Sequence, residues 1–153
     1  MKLLLAVIII SLFAACVNQP DCLVTATSQL KISLKKTTSE EANSILFTSI
    51  TISGTDSTFQ SKKNSKVSSL VLYVNPRELH TTFKFKYLDA QNVTKSDSLV
   101  VAYVEQNVII SPECGGYVYY SNLNVFATSF QIPPKIVNSQ LSTSATVNIE
   151  IKL

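Results

Sequence analysis

Apolar and polar side chains alternate with a period of two along much of this chain, the pattern of strands with one buried face. Leu30, Ile32 and Leu34 alternate with Lys31, Ser33 and Lys35. The clearest case is Thr81, Phe83, Phe85 and Tyr87 against Thr82, Lys84 and Lys86. At the C-terminal end Ala145, Val147, Ile149 and Ile151 repeat the pattern. Residues 23–27 predict the first part of the opening strand or a short strand of their own. Residues 45–52 and 67–74 are apolar and β-branched, and the second stops at Asn75-Pro76, a turn signal. Residues 99–104 are apolar on both faces, as a central strand would be. Residues 108–110, 117–120 and 125–132 predict three further strands.

Helical periodicity is nearly absent. Its best candidate, residues 39–46, opens with Ser39, Glu40 and Glu41 but offers only about two turns. Eight or nine short, turn-bounded strands predict an all-β fold, an antiparallel β-sandwich of immunoglobulin-like type, with a barrel as the alternative. Residues 54–66, the longest polar stretch, predict a solvated loop or a long hairpin. No repeat and no internal boundary interrupts residues 23–153, which are expected to form a single domain.

The N-terminus follows a different logic. Lys2 supplies a positive charge, residues 3–13 are apolar except for Ser11, and Ala14-Ala15 precede Cys16. This is the arrangement of a secretory signal peptide, and its apolar run is well short of the roughly 20 residues of a membrane-spanning helix. A cysteine directly after the small pair predicts a bacterial lipoprotein, with residues 1–15 removed and Cys16 lipidated. Phe13 departs from the leucine usual at that point, and it suits ordinary cleavage, which wants a small residue there, less well still. Two or more acyl chains hold a membrane stably where one does not. Residues 16–22 then become the tether.

Assigning Cys16 to lipid changes the cysteine arithmetic. Cys22 and Cys114 remain as an even pair in an oxidising compartment. A disulfide between them would close a loop of about 90 residues, stabilising by roughly 4–5 kcal/mol on the chain-entropy model. The other reading is two buried free thiols.

Charge excludes some partners. The net charge of +3 falls to +2 when Lys2 leaves with the leader, without the clustered excess that nucleic-acid binding requires. Lys62, Lys63 and Lys66 form a small basic group read as solvated loop charge. His80 is the only histidine, so any Ser-His-Asp arrangement would have to use it. It predicts a surface residue at a strand start, beside Glu78. Zinc held by Cys22, Cys114 and His80 is disfavoured by the same oxidising compartment. Asp21, Glu40, Glu41, Asp56, Asp89, Asp97, Glu105 and Glu113 show no spacing of a catalytic pair. Three glycines, Gly54, Gly115 and Gly116, make no phosphate-binding loop. The expectation is a non-enzymatic protein with no cofactor and no metal. Phe126, Phe130 and Ile132 before Pro133-Pro134 predict core packing and then a rigid turn, with a partner-accepting sheet edge as the alternative.

The run Ser111-Pro112-Glu113-Cys114-Gly115, the tyrosines 117, 119 and 120 after it, residues 97–101, and Asp21-Cys22 with Thr25 and Thr27 resemble a family of small uncharacterised lipoproteins of Bacteroidota, a domain of unknown function. The resemblance covers roughly residues 16–153. It implies pairing of Cys22 with Cys114 and a cell-envelope location, and no activity. Residues 17–20 lack the acidic run associated with surface export in that phylum. This predicts an outer-membrane lipoprotein facing the periplasm, with surface display as the alternative. Two functions follow as expectations: a lipid-anchored binding or assembly module with an envelope protein partner, or a surface module for glycan or host ligand. For the second, Tyr73, Tyr117, Tyr119 and Tyr120 are the available aromatic platform, in a chain without Trp.

Overall fold

The computed structural model describes residues 28–53, 58–59, 65–112, 115–142 and 146–153. Among these residues nine strands follow one another: β1 (Gln29–Lys35), β2 (Leu46–Ile52), β3 (Thr58–Phe59), β4 (Ser69–Tyr73), β5 (His80–Leu88), β6 (Thr94–Ser111), β7 (Gly115–Thr128), β8 (Lys135–Ile136) and β9 (Ile149–Lys152). They form a four-stranded sheet of order β4-β1-β9-β8 and a five-stranded sheet of order β3-β2-β5-β6-β7. The fold is a β-sandwich, as the alternation predicted, and the sheets do not close into a barrel. β5, β6 and β7 form a meander. β1 and β9 lie side by side and pair in parallel, Ile32 opposite Ile149 and Leu34 opposite Ile151, in an otherwise antiparallel arrangement.

The core forms where the buried faces meet. Leu30, Ile32 and Leu34 of β1, with Ile149 and Ile151 beside them on β9, face Phe83 and Phe85 of β5 and Leu99 and Val101 of β6, each at most 1 % exposed. Phe85 packs at tilted angles on Phe47 and Phe130, with ring centroids 6.0 and 5.6 Å away. Such offset geometry suits the ring quadrupoles better than a face-to-face stack.

Residues 39–46 do not form a helix. Lys35 bridges to Ala42, the Lys36 N–H donates to the Glu41 carbonyl, and the segment turns back toward β2. Two helical turns bring too few hydrogen bonds to offset nucleation, whereas this turn is fixed by strands at both ends. The Glu40 and Glu41 side chains serve ion pairs with Lys152 and Lys36 instead, each at 2.6 Å.

Several strand boundaries also differ from the sequence pattern. Residues 99–104 and 108–110 belong to one strand, β6, and residues 117–120 join 121–128 in β7. Gln106 and Asn107 look like a break only if one face must be apolar, and neither face is covered there. Ser121 and Asn122 mark a bulge between the pairs Ala102–Asn124 and Val104–Ser121, where Asn122 takes a positive φ of 52°. A bulge of this kind leaves one residue unpaired and bends the strand. β7 ends at Thr128 rather than 132, and the stretch divides: Phe130 is buried in the core, whereas Phe126 is 76 % exposed. Pro133-Pro134 lead directly into the short strand β8.

Among the described residues every buried side-chain nitrogen and oxygen has a hydrogen-bond partner. Asn148 accepts from the Lys31 N–H through Oδ1 (2.9 Å) and donates through Nδ2 to the carbonyls of Gln140 (2.7 Å) and Asn138 (3.2 Å). That side chain ties β1 to the segment that precedes β9.

Candidate functional site

β6 spans the molecule and exposes two contrasting regions at its ends. At its N-terminal end, a cleft of about 480 Å³ opens between the β5–β6 turn, the loop after β1, the segment after β7 and the C-terminal residues. Tyr87, Phe130, Ile45 and Leu46 supply its apolar lining, with Asp89, Asp97, Lys66, Lys95 and Lys152 around them. The Tyr87 hydroxyl donates to Asp97 Oδ2 at 2.7 Å, and the Ser129 hydroxyl donates to Asp97 Oδ1 at 2.9 Å. Ser129 Oγ in turn accepts the Ser98 N–H. Burial, and then the Asp97 carboxylate, push the Tyr87 phenol well above its ordinary pKa, so it stays a donor at neutral pH. Asp89 Oδ1 accepts the N–H groups of Gln91 and Val93, closing a turn in which Asn92 has φ 61°. Lys95 lies 3.7 Å from Asp89. Both carboxylates thus hold the end of the sandwich together.

The other end is built differently. The β5–β6 ladder reaches His80 opposite Ala102, the Tyr103 N–H still donates to the Leu79 carbonyl, and from Val104 onward β6 is paired with β7. Residues 104–111 and 115–121 form a two-stranded arm. Gly115, with φ 70°, begins its second strand in the left-handed region that glycine enters freely. Ile109 is 83 % exposed, and Val104 and Val118 are also on the surface. Glu105 is the only charged residue among the described residues of the arm.

The base of the arm is locked. Tyr103 donates to the Asn75 carbonyl (2.7 Å) and accepts from the Thr81 hydroxyl (2.7 Å), while Thr81 Oγ1 accepts the Asn75 N–H (2.7 Å). Each bond polarises the next in such a closed set. Tyr120 meets Tyr103 edge-on, with centroids 5.4 Å apart. Burial raises the pKa of both phenols. On the outer side of β7, the Leu141 N–H donates to the Tyr120 carbonyl and the Leu123 N–H to the Ser139 carbonyl. These bonds cover the edge of β7 at the bulge.

The residues singled out from sequence distribute as follows. His80 opens β5, exposed, at the arm end of the hairpin, while Ser129 and Asp97 meet at the cleft end. Of the four tyrosines, Tyr120 is buried and Tyr73 lies on β4 in the other sheet. Only Tyr117 and Tyr119 share a neighbourhood, half-buried on β7, so the predicted platform is not assembled. Lys66 borders the cleft. Cys16, Cys22, Cys114, Asp21, Asp56, Glu113, Lys62 and Lys63 lie outside the described residues, as do the leader and the tether. Among the described residues no group of three or more acidic, histidine or cysteine side chains could hold a metal ion. The triangle of Asn75, Thr81 and Tyr103 was missed from sequence. A buried Thr in an otherwise aromatic row was its only signal.

By these features the molecule is a β-sandwich with a projecting two-stranded arm and a small polar-rimmed cleft. The chain belongs to a family of unknown function (DUF6452), whose model matches residues 46–153. The match starts at β2, so β1, which completes the core, falls outside it. No curated protein and no solved structure matches the chain.

Proposed function

We propose that this protein is a lipid-anchored module of the bacterial cell envelope, of Bacteroidota type, that binds a protein partner through the open edge of β7 and catalyses no reaction. The observation that carries the reading is that edge. β7 is the terminal strand of its sheet and extends past the bulge in both directions, with Phe126 76 % exposed and Val118 on the surface. Natural edges are usually blunted by charge, proline or cover, and an unblunted one accepts a further strand.

Anchorage through Cys16 at the outer membrane, facing the periplasm, belongs to the same reading. So does a disulfide between Cys22 and Cys114. Ser28, six positions after Cys22, and Tyr120, six positions after Cys114, both stand at the arm end of the sandwich.

The test places a photo-reactive amino acid at Phe126 in living cells, with a matched control at Val71, an exposed apolar position on β4 of the other sheet. A discrete crosslinked protein from position 126 alone is expected. The same pattern from both positions would refute edge recognition. In parallel, Cys16→Ser should release the chain from the membrane fraction, and protease added to intact cells should leave the native protein uncut.

A further inference from the structure

We infer that the cleft at the N-terminal end of β6 binds a small amphiphilic anion, an apolar body carrying one carboxylate, with that carboxylate set against Lys66. The site lies at the opposite end of β6 from the arm and does not depend on recognition through β7. Three properties of the cleft point the same way.

The first is that its walls are already fixed. Asn43 Nδ2 donates to the main-chain oxygen of Leu153 at 2.7 Å, and the Leu153 N–H donates to the Lys35 carbonyl at 3.0 Å. Asp89 closes the β5–β6 turn through the N–H groups of Gln91 and Val93. Ser129 ties the segment after β7 to Asp97 and Ser98. A cleft held on three sides needs little reordering to admit a ligand. Its volume of about 480 Å³ falls within the range of about 300–1,000 Å³ typical of small-molecule sites.

The second is an apolar interior. Tyr87, Phe130 and Ile45, each 5–8 % exposed, form the most buried part of the lining. Leu46, opposite Leu88 across β2 and β5, and Ile132 line it while only half-buried. An apolar body set against these three removes further apolar surface from water, which favours binding.

The third is charge balance. Five charged side chains line the cleft: Lys66, Asp89, Lys95, Asp97 and Lys152. Lys95 and Asp89 are 3.7 Å apart, and Asp89 also accepts the two N–H groups of its turn. Asp97 accepts the hydroxyls of Tyr87 and Ser129, one on each oxygen. Lys152 Nζ lies 2.6 Å from Glu40 Oε1. Of the five, Lys66 alone has no hydrogen-bond or ion-pair partner among the described residues. Its backbone is nevertheless held at the rim, because the next residue, Val67, exchanges N–H···O bonds of 2.9 and 3.0 Å with Ile45. The unanswered charge is therefore positive. A ligand ammonium would find both Asp97 oxygens already accepting hydroxyls and would leave Lys66 unopposed. A single amine answers a single negative charge, which favours a carboxylate over a phosphate with its three strong acceptor oxygens.

The test titrates the full chain, carrying Cys16→Ser so that no acyl group of its own competes, and follows backbone amide shifts by NMR. The probes are decanoate, decanol and decylammonium, each below its micelle concentration. Decanoate should shift residues 45–46, 87–89 and 130–132 saturably and leave residues 105–108 of the arm in place. Decanol should bind there more weakly, and decylammonium most weakly. Lys66→Gln should weaken decanoate about threefold, the scale of one partly exposed ion pair, and leave decanol unchanged. Ile132→Gln should weaken both. Salt at about 0.5 M should narrow the gap between decanoate and decanol by screening. Unshifted amides at residues 30–34 show that each variant is folded, and Lys66 is exposed. Shifts spread over the whole surface, decylammonium binding as tightly as decanoate, or a Lys66→Gln chain that binds decanoate like wild type overturns the inference. Crosslinking to a partner from Phe126 is unaffected by any of these outcomes.

Discussion

β6 and β7 form one continuous ribbon in two surroundings. From Leu99 to Ala102, β6 has β5 on one side and β7 on the other, with the second sheet over its inner face, and Leu99 and Val101 are completely buried. From Val104 to Ser111 the same strand keeps β7 but loses both β5 and the covering layer. The backbone ladder continues across the boundary while the exposure of apolar side chains rises from nothing to as much as 83 %. Backbone pairing and burial are therefore separable contributions. The ladder gives the ribbon its shape, and burial gives one half its stability, because a net hydrogen bond contributes about 1 kcal/mol whereas burying a large aliphatic side chain contributes about 1.5–3 kcal/mol.

The sharpest way to break the comparison is to truncate one side chain in each half. Leu99→Ala should cost about 2–5 kcal/mol in urea unfolding, the range for a large-to-small change in a packed core. Val104→Ala, five residues along the same strand, should stay within about 0.5 kcal/mol. Equal losses would mean that the arm carries as much of the fold as the packed half.

Next in size is Asn148→Ala, which strands the Lys31 N–H and the carbonyls of Asn138 and Gln140. At 1–3 kcal/mol for a buried group left unsatisfied, with some relieved by water, the expected loss is about 3 kcal/mol. Calorimetry of the variant checks it.

At the boundary itself, Tyr103→Phe removes the donor to the Asn75 carbonyl and the acceptor for Thr81. A loss of about 1–2 kcal/mol is expected. It should come with faster exchange at arm amides than at residues 83–87, since the lock sits at the arm base. Uniform acceleration over the whole sheet would contradict that role.

The smallest effect concerns pH. The phenols of Tyr87, Tyr103 and Tyr120 have raised pKa values in the folded chain, and a free tyrosine titrates near pH 10. Below that pH both states hold the proton, so these groups leave stability flat. Above it the unfolded chain binds fewer protons than the folded one, and stability falls as pH rises, by at most about 1.4 kcal/mol per unit for each tyrosine. Denaturant midpoints at pH 8, 10 and 11 check the sign. Tyr103→Phe should flatten the slope.

Much of the packed half was legible in the chain. The alternation in residues 30–34 and 81–87 named the inward side chains correctly, because a strand with one dry face must be apolar at every second position. The arm was not legible. The pattern ended strands at Val104 and Tyr120 and left residues 105–107 and 121–124 between strands, because polar residues break the apolar alternation there. Phe126 and Phe130 are equivalent in composition, yet only Phe130 reaches the core, after Ser129 bends the chain toward Asp97 and Ser98. The cleft drew Tyr87, Asp97 and Ser129 from three elements, and local pattern carries no trace of such a meeting. Only Asp97 had been singled out as a scattered acid.

The sequence alone determined the strand-rich character, the identity of most inward-facing residues, and the sandwich. Those follow from period and hydrophobicity, both local properties. The tertiary structure decided which strands run on without interruption, that β1 and β9 pair in parallel, and where the second layer ends. These depend on what lies above and beside each residue, and a strand carries the same alternation whether its inward face meets another sheet or open water.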